Sequence, residues 1–529
     1  MASFCINETW TNRQVCELLE RAGLEQTRFE EGGIDGKQAL KLKHEDLTRM
    51  GITDRKKNLE YLNVIKNQPK VFNDPIHGSI ELHPVLVKII DTPQFQRLWN
   101  IKQLGGSYYV YPGACHSRFE HSIGVAHLAG ELGKSLKNKQ STIISDRDIL
   151  CVQIAGLCHD LGHGPFSHLF DELILRGEIR HEKISIQMFD YLVEENGLRP
   201  LMKLYDLRRR DRTFIKEMIH PPRREEGEEA TANEWPYEGR PKEKSFLYEI
   251  VSNKTSGVDV DKFDYFARDC HYLGLRNNFD HQRFMLFARV CKEAGNRKTH
   301  ICIREKEVNS LYTMYQTRYY LHKRACQHKV KYGIDLMIKD ALDAANGTRI
   351  GGLGRTLNEV KRDIQNNQMA SFTQLTDFVF QQILDSANGE LANAKRILRR
   401  INSRDLYKCV FEREVQGGIR VEQRHIDNLK QRLIEFSGNI LTETNFEVVK
   451  VTIDYGMGHE NPVNNMYYYT KQDPDTAIRN SGQQIPHLIP EAFSETVVRV
   501  YYKETDLLNP QSIIIPFDAW HQRVRQQQA

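Results

Sequence analysis

The densest chemistry in the chain lies in Cys158-His159-Asp160-Leu161-Gly162-His163-Gly164-Pro165-Phe166-Ser167-His168. An imidazole beside a carboxylate is a ligand pair for zinc, iron, manganese or nickel, and it discriminates poorly among them. Two ligands do not make a site. His121 stands upstream in Ser117-Arg118-Phe119-Glu120-His121-Ser122, and Asp261 stands downstream in Asp259-Val260-Asp261-Lys262-Phe263-Asp264. Together, His121, His159, Asp160 and Asp261 make a two-histidine, two-aspartate set with positions left for water and phosphate. A cation held this way polarises a phosphoryl oxygen and lowers the pKa of bound water. His163 and His168 follow in the next turn and can approach the same cavity. Taken singly, each residue has a plainer reading. A His-Asp pair is usually a surface or capping pair, His121 a core or surface histidine, and Asp261 a helix cap. The conjunction outweighs these readings.

These side chains need elements to carry them. The apolar run Ile154-Ala155-Gly156-Leu157-Cys158 reads as a helix entering His159-Asp160 and stopped by Gly162, Gly164 and Pro165. Adjacent helix positions do not share a face. A long imidazole and a short carboxylate can still converge on one ion near a helix end. Upstream, residues 8–67 read as a small helical bundle. Val15, Leu18, Leu19, Leu59 and Leu62 recur at helical spacing, and Gly33-Ile34-Asp35-Gly36 breaks the pattern as a turn. Asn67-Gln68-Pro69-Lys70 reads as a linker. Residues 71–340 carry a mostly helical pattern broken by Gly and Pro, and 221–244, rich in Pro, Glu, Arg and Gly, read as an exposed insertion. Residues 341–529 are mixed. Val448–Ile453 and Val497–Tyr502 are strand-like by their β-branched and aromatic content, and Arg523–Ala529 is a polar, frayed end.

Composition narrows the class. The chain has 529 residues, 40% hydrophobic and 27% charged, with net charge +4. That is a multidomain globular protein, and its near-neutral charge does not announce a nucleic-acid binder. Arg208-Arg209-Arg210-Asp211-Arg212 and Arg223-Arg224 would suit phosphates of single-stranded nucleic acid, but interleaved acids favour a solvated face. No stretch approaches the roughly 18 apolar residues that cross a bilayer, and Met1–Cys5 does not open a secretory signal. The ten cysteines never form Cys-x-x-Cys, which suits thiols of a reducing compartment. The expected location is intracellular. No basic cluster at either terminus separates nucleus from cytoplasm.

The order His, His-Asp, Asp, with Gly-His-Gly after the pair, is similar to that of the HD phosphohydrolase superfamily. Trp10, Ile34-Asp35-Gly36, Leu47-x-x-Met50-Gly51-Ile52 and Arg55-Lys56 resemble a SAM domain. Gln103-Leu104-Gly105-Gly106, His116–His121, His159–His168, Tyr248–Asn253 and Asp259–His271 resemble the SAM-and-HD-domain deoxynucleoside triphosphate triphosphohydrolases of animals, over about residues 8 to 505. The resemblance implies a mainly α fold: an N-terminal helical SAM bundle (8–67), an all-α HD core (71–340) and a mixed α/β C-terminal lobe (341–529). It implies hydrolysis of a dNTP to deoxynucleoside and triphosphate, which limits dNTP pools. Antiviral defence, innate immunity and a nuclear location follow from the same resemblance.

Its site roles are likewise implied. His121, His159, Asp160 and Asp261 hold the metal, with zinc first and iron or manganese as alternatives, and Mg accompanies the nucleotide. His181 is the general acid for the leaving 5′ oxygen, and His163 and His168 contact phosphate or orient the nucleophile. Arg118, Lys262 and Arg318 bind the triphosphate. Gln103, Leu104, Tyr265 and Asp269 surround the sugar. GTP and dNTP activators bind between subunits of a homotetramer through Lys70, Val71, Asn73, Asp91, Gln96, Arg283, Arg304, Lys306, His328 and Lys329. Trp99, Ser310 and Cys326 depart from the family's arginine, asparagine and tyrosine. Its long basic N-terminal extension and its C-terminal Thr-Pro phosphosite have no counterpart here. Two alternatives stand beside this reading: an HD phosphohydrolase acting on nucleoside monophosphates or cyclic nucleotides, and a non-catalytic module binding nucleic acid or protein.

Overall fold

A computed structural model describes residues 5–171, 175, 177–222, 235–415, 420–438, 440–479, 490–504 and 511–528. The N-terminal bundle has five helices, Asn12–Ala22, Thr27–Glu31, Gly36–Lys41, His44–Arg49 and Arg55–Ile65. Val15, Leu18 and Leu19 are buried, whereas Leu59 is half-buried beside the buried Tyr61 and Leu62. Asn67 is not a free linker residue. It is fully buried, and its amide donates to the Tyr205 hydroxyl at 3.1 Å. Asn63 likewise donates to the Asn196 carbonyl at 2.9 Å, so the bundle rests on the segment around Arg199–Leu204.

The central part is mainly helical. Arg118–Lys139 and Asp146–Cys158 lie side by side. Ser145 caps the second of these, its hydroxyl accepting from Asp148 N–H at 3.1 Å. Val260–Leu273 starts at the Asp259 cap, stops at Gly274 with φ 68°, and crosses the first helix. At that crossing a Cβ on Gly124 would run into the Asp264 carboxylate.

Strands appear where a helical pattern was expected. Lys70–Asp74 and Gly78–Leu82 form an antiparallel hairpin. Arg289–Glu293 and Thr299–Arg304 join Tyr467–Tyr469 and Thr476–Arg479 in a small closed barrel. Two of its strands come from beyond residue 341, and such a pairing leaves no local trace at 289–304. The expected border at 340/341 falls within the helix Lys329–Ala345. Residues of 357–407 pack into the main core, while a separate core gathers Val415, Leu429, Phe446, Val498 and Trp520.

Val448–Ile453 and Val497–Tyr502 are strands, as expected. They lie within Phe446–Asp454 and Ser494–Tyr502, paired antiparallel with Val448 opposite Val500. Of the end expected to fray, 523–528 continue a helix and Ala529 lies outside the described residues. Gln511–Gln528 is one helix, held by the buried Trp520 and Val524.

The segment 221–244 is also not simply an exposed insertion. Residues 223–234, including Arg223 and Arg224, lie outside the described residues. From 235 onward the chain is tied down, with Tyr237 stacked on Tyr248 at 3.9 Å. Arg240 is buried between Asp148 (2.7 Å) and Asp211 (2.6 Å). Arg208 and Arg212 pair with Asp206 and Glu194, which makes that run a solvated face. Removing Arg240 leaves Asp148 with Lys244 as its cation and Asp211 with Arg147 at 3.5 Å, so two buried carboxylates each lose a close partner. Arg240→Ala should therefore destabilise the protein by about 3–5 kcal/mol, read from urea unfolding midpoints. A loss under about 1 kcal/mol would class the pair with surface ion pairs.

Candidate functional site

The four expected ligands converge just past the end of the helix Asp146–Cys158. His121 Nε2 lies 3.1 Å from Asp261 Oδ1 and 3.5 Å from Asp160 Oδ2. His159 Nε2 lies 3.3 Å from Asp160 Oδ1 and 3.5 Å from Asp261 Oδ1. The far side of each ring is fixed. His121 Nδ1 donates to Asp264 at 2.7 Å, and His159 Nδ1 donates to the Gly156 carbonyl at 2.7 Å. Both Nε2 atoms are thereby aimed at one point, the arrangement that orients metal-ligating histidines. His159 Nε2 is buried with no hydrogen-bond partner. This donor set fits a divalent metal ion. Burial pushes the His121 imidazole down, but Asp261 and Asp264 reverse the effect and hold it at about 10. Burial likewise opposes ionisation of Asp160, yet Arg118, His159 and His163 hold it well below the usual carboxylate range.

Gly162 lets the ligand-bearing turn press against the next helix, because a Cβ there would strike the His181 carbonyl. That helix, His181–Glu195, brings a third histidine to the loop. The His163 and His181 rings stack at 3.9 Å, and His168 stands edge-on to both. His181 Nδ1 donates to Asp171 Oδ2 at 2.5 Å. Burial, with Arg118 and His181 adding to it, pushes His168 to about 3 and His163 well below its usual value. Phe166 and Ser167 take left-handed φ of 61° and 59°, a strain the surroundings must hold. Asp377 accepts from Phe166 N–H at 2.6 Å and from Lys102 N–H at 2.9 Å. The buried Arg97 donates to the Leu161 and His163 carbonyls.

A cavity of about 450 Å³ opens on this ring of groups. Gln103, Leu104, Arg118, Lys262, Tyr265, Asp269 and Arg318 all line it, with Cys326. The basic groups are paired within the chain: Arg118 with Asp160 (2.5 Å), Lys262 with Asp259 (3.1 Å) and Arg318 with Asp454 (2.7 Å). Asp269 is held by His116 at 2.6 Å.

Comparison with known proteins agrees with this geometry. The SAM domain (Sterile alpha motif) family matches residues 8–67, and the HD domain family matches 118–249. The deoxynucleoside triphosphate triphosphohydrolase SAMHD1 of Bos taurus is 48% identical over 516 residues, covering 94% of this chain and 86% of the relative. The proteins of the same name from Danio rerio and Homo sapiens are each 46% identical, covering 94% of this chain and 83% and 82% of the relative. The chain belongs to the SAMHD1 family.

Several groups of this SAMHD1-family site were not read from the sequence. Asp264 could have been, since it stands one turn after Asp261 on the same helix face. Asp171, Lys331, Tyr332 and Asp335 carry no local signal. They line the cavity or meet its histidines only through folding.

The residues expected at activator sites fall into separate patches of one chain. Lys70, Asn73, Asp91 and Gln96 line a cleft of about 550 Å³ with Trp99, which stacks on Phe119 at 3.8 Å. Val71 is exposed and does not line it. Arg283 and Ser310 both donate to Glu307, at 2.8 and 3.0 Å, and Lys306 lies over Phe287 beside Arg283. Arg304 ends a barrel strand. His328 and Lys329 line a different cleft with Lys323, Arg413 and Arg499. Among the described residues no helix is long and apolar enough to cross a membrane.

Proposed function

We propose that this chain is a metal-dependent enzyme that hydrolyses a dNTP to deoxynucleoside and triphosphate. The observation that carries the reading is the juxtaposition, at one cavity, of His159, Asp160 and Asp261, backed by His121, with His181, backed by Asp171, ringed by Arg118, Lys262 and Arg318. A divalent ion held by His121, His159, Asp160 and Asp261, with zinc first and iron or manganese as alternatives, would supply Lewis-acid polarisation of the phosphate and an acidified water. Arg118, Lys262 and Arg318 exchange their carboxylate partners for phosphate oxygens, where charge-assisted bonds are strongest. Lys331, which lines the cavity beside them, adds a fourth cation. Asp171 occupies His181 Nδ1, so Nε2 is left to give its proton to the leaving 5′ oxygen. His163 and His168, kept neutral, accept from the attacking water or contact phosphate. Tyr265 and Leu104 crowd the sugar 2′ position, while Gln103 and Asp269 hold its remaining polar edge.

The deciding experiment incubates purified protein with Mg²⁺ and each dNTP or rNTP, with and without activator, and looks for inorganic triphosphate. Triphosphate from dGTP but not from GTP is expected. Equal rates for the two would defeat the sugar assignment. Release of monophosphate or pyrophosphate would favour another HD phosphohydrolase.

The family resemblance supports a regulatory reading that the patches fit. GTP or dNTP activators, bound between copies by the separate patches, assemble a homotetramer. An arginine donates a planar fork to a guanine edge, and the indole of Trp99 cannot, though it stacks on any base. Assembly should therefore respond to several nucleotides with weak preference for GTP, and Trp99→Arg beside Asp91 should sharpen that preference. Mass photometry with GTP, ATP and each dNTP checks this; strict dependence on GTP in the wild type would refute it. A nuclear location, which rests on the family alone, completes the proposal.

A further inference from the structure

We infer that His163, His168, Asp171 and His181 form a second cation site, for a borderline divalent ion of the zinc class, whose occupation switches the enzyme off. Each of the four offers one ligand atom, and these atoms all lie within 4.8 Å of one another. The set shares no residue with the His121, His159, Asp160 and Asp261 quartet. Its rings are packed together already, with centroid separations of 3.9, 5.0 and 5.6 Å.

Two buried polar atoms of the set have no hydrogen-bond partner, His163 Nδ1 and Asp171 Oδ1. A cation ligated through His163 Nδ1 and Asp171 Oδ1 would satisfy both, whereas a proton on His181 satisfies neither. Three imidazoles and one carboxylate select zinc, cobalt, nickel or copper over magnesium or calcium, which take oxygen ligands. Tetrahedral ligands about 2.1 Å from zinc stand roughly 3.4 Å apart. Lone pairs in two parallel ring planes do not converge, so one of the stacked rings, His163 or His181, turns out of the stack to ligate, and the His181–Asp171 hydrogen bond opens.

The cost falls on catalysis. A cation here takes the lone pairs of the two groups that hold and move the proton. His163 Nε2 also lies 3.4 Å from the quartet's Asp160. A second ion would thus neighbour the first, repel it, and bind more weakly than it does. The site fills only when free zinc is in excess, and the enzyme then has a metal-bound resting form. The inhibitory part rests on the function proposed above; the binding part does not.

The test counts ions and follows rate separately. The full chain, stripped of metal, is dialysed against Zn²⁺ and its metal content is measured. Titration with Co²⁺ followed by absorption then gives a readout that needs no variant. Wild type should take up two ions per chain in two steps. His159→Gln with Asp160→Asn should remove the tighter step alone, His168→Gln with Asp171→Asn the weaker step alone, and the fourfold variant both. Zn²⁺ beyond the first equivalent should slow dNTP hydrolysis by about 10²–10⁴-fold, the scale expected when a general acid is removed, and a chelator should restore it. A wild-type chain that stops at one ion overturns the site, and so does a second ion that survives in the His168/Asp171 variant. A second ion that leaves the rate unchanged overturns the switch. If no metal loading gives dNTP hydrolysis, the function falls and the ion count still decides the site.

Discussion

His159→Ala with Asp160→Ala should leave a protein with no metal in the quartet and no detectable dNTP hydrolysis. Two of the four donors disappear, and the remaining His121 and Asp261 can no longer enclose an ion. The double change also removes the carboxylate facing Arg118 at 2.5 Å, and an uncompensated buried charge costs about 3–5 kcal/mol. A companion variant, His159→Gln with Asp160→Asn, keeps an oxygen near Arg118 and separates lost ligation from lost stability. Purified without added Zn²⁺, both should lack metal by elemental analysis, and the second should unfold close to the wild-type denaturant midpoint. Asp264→Asn, one bond further out, should weaken metal binding by about 10–100-fold, because His121 Nδ1 loses its carboxylate. Wild-type turnover and metal content in the double variant would move the centre elsewhere.

His181→Ala should slow the chemical step by about 10²–10⁴-fold with substrate binding retained. The ring is clasped by Asp171, stacked on His163, and lines the same cavity as His159, Asp160 and Asp261. Its loss should lower kcat with little change in KM and remove the pH limb due to the acid. Asp171→Asn should lower the rate less, because an amide oxygen still accepts from Nδ1 but no longer supports a positive ring. Single-turnover rates against pH give both numbers. A near wild-type rate with the limb intact in His181→Ala would take His181 out of the mechanism.

Ligand identity was legible because residue type alone limits which atoms can hold a cation, and the order His, His-Asp, Asp survives any folding detail. The strands at 448–453 and 497–502 were legible for a similar reason: β-branched and aromatic runs suit a pleated surface wherever it lies. The helix into His159 and its stop at the glycines were equally local. Reading failed where meaning depends on a distant partner. Arg240 looked like one charge in an exposed insertion, until Asp148 and Asp211 made it the centre of a buried ion cluster. The strands at 289–304 looked helical because their edges are completed by 467–479, far along the chain.

By itself, then, the sequence determined which histidines and aspartates are available as a candidate metal-ligand set, the helical frame around them and the basic and histidine groups available to a triphosphate. Only the tertiary structure decided which of those groups work together. It set Asp171 against His181, Asp264 behind His121, and Asp377 under the strained Phe166–Ser167 turn. A carboxylate is a cap, a surface charge or a proton partner according to what burial places against it. Those contacts join residues up to 211 positions apart. Local propensity and periodicity carry no record of contacts at that range, because hydrophobic burial brings the segments together without regard to which polar groups will meet.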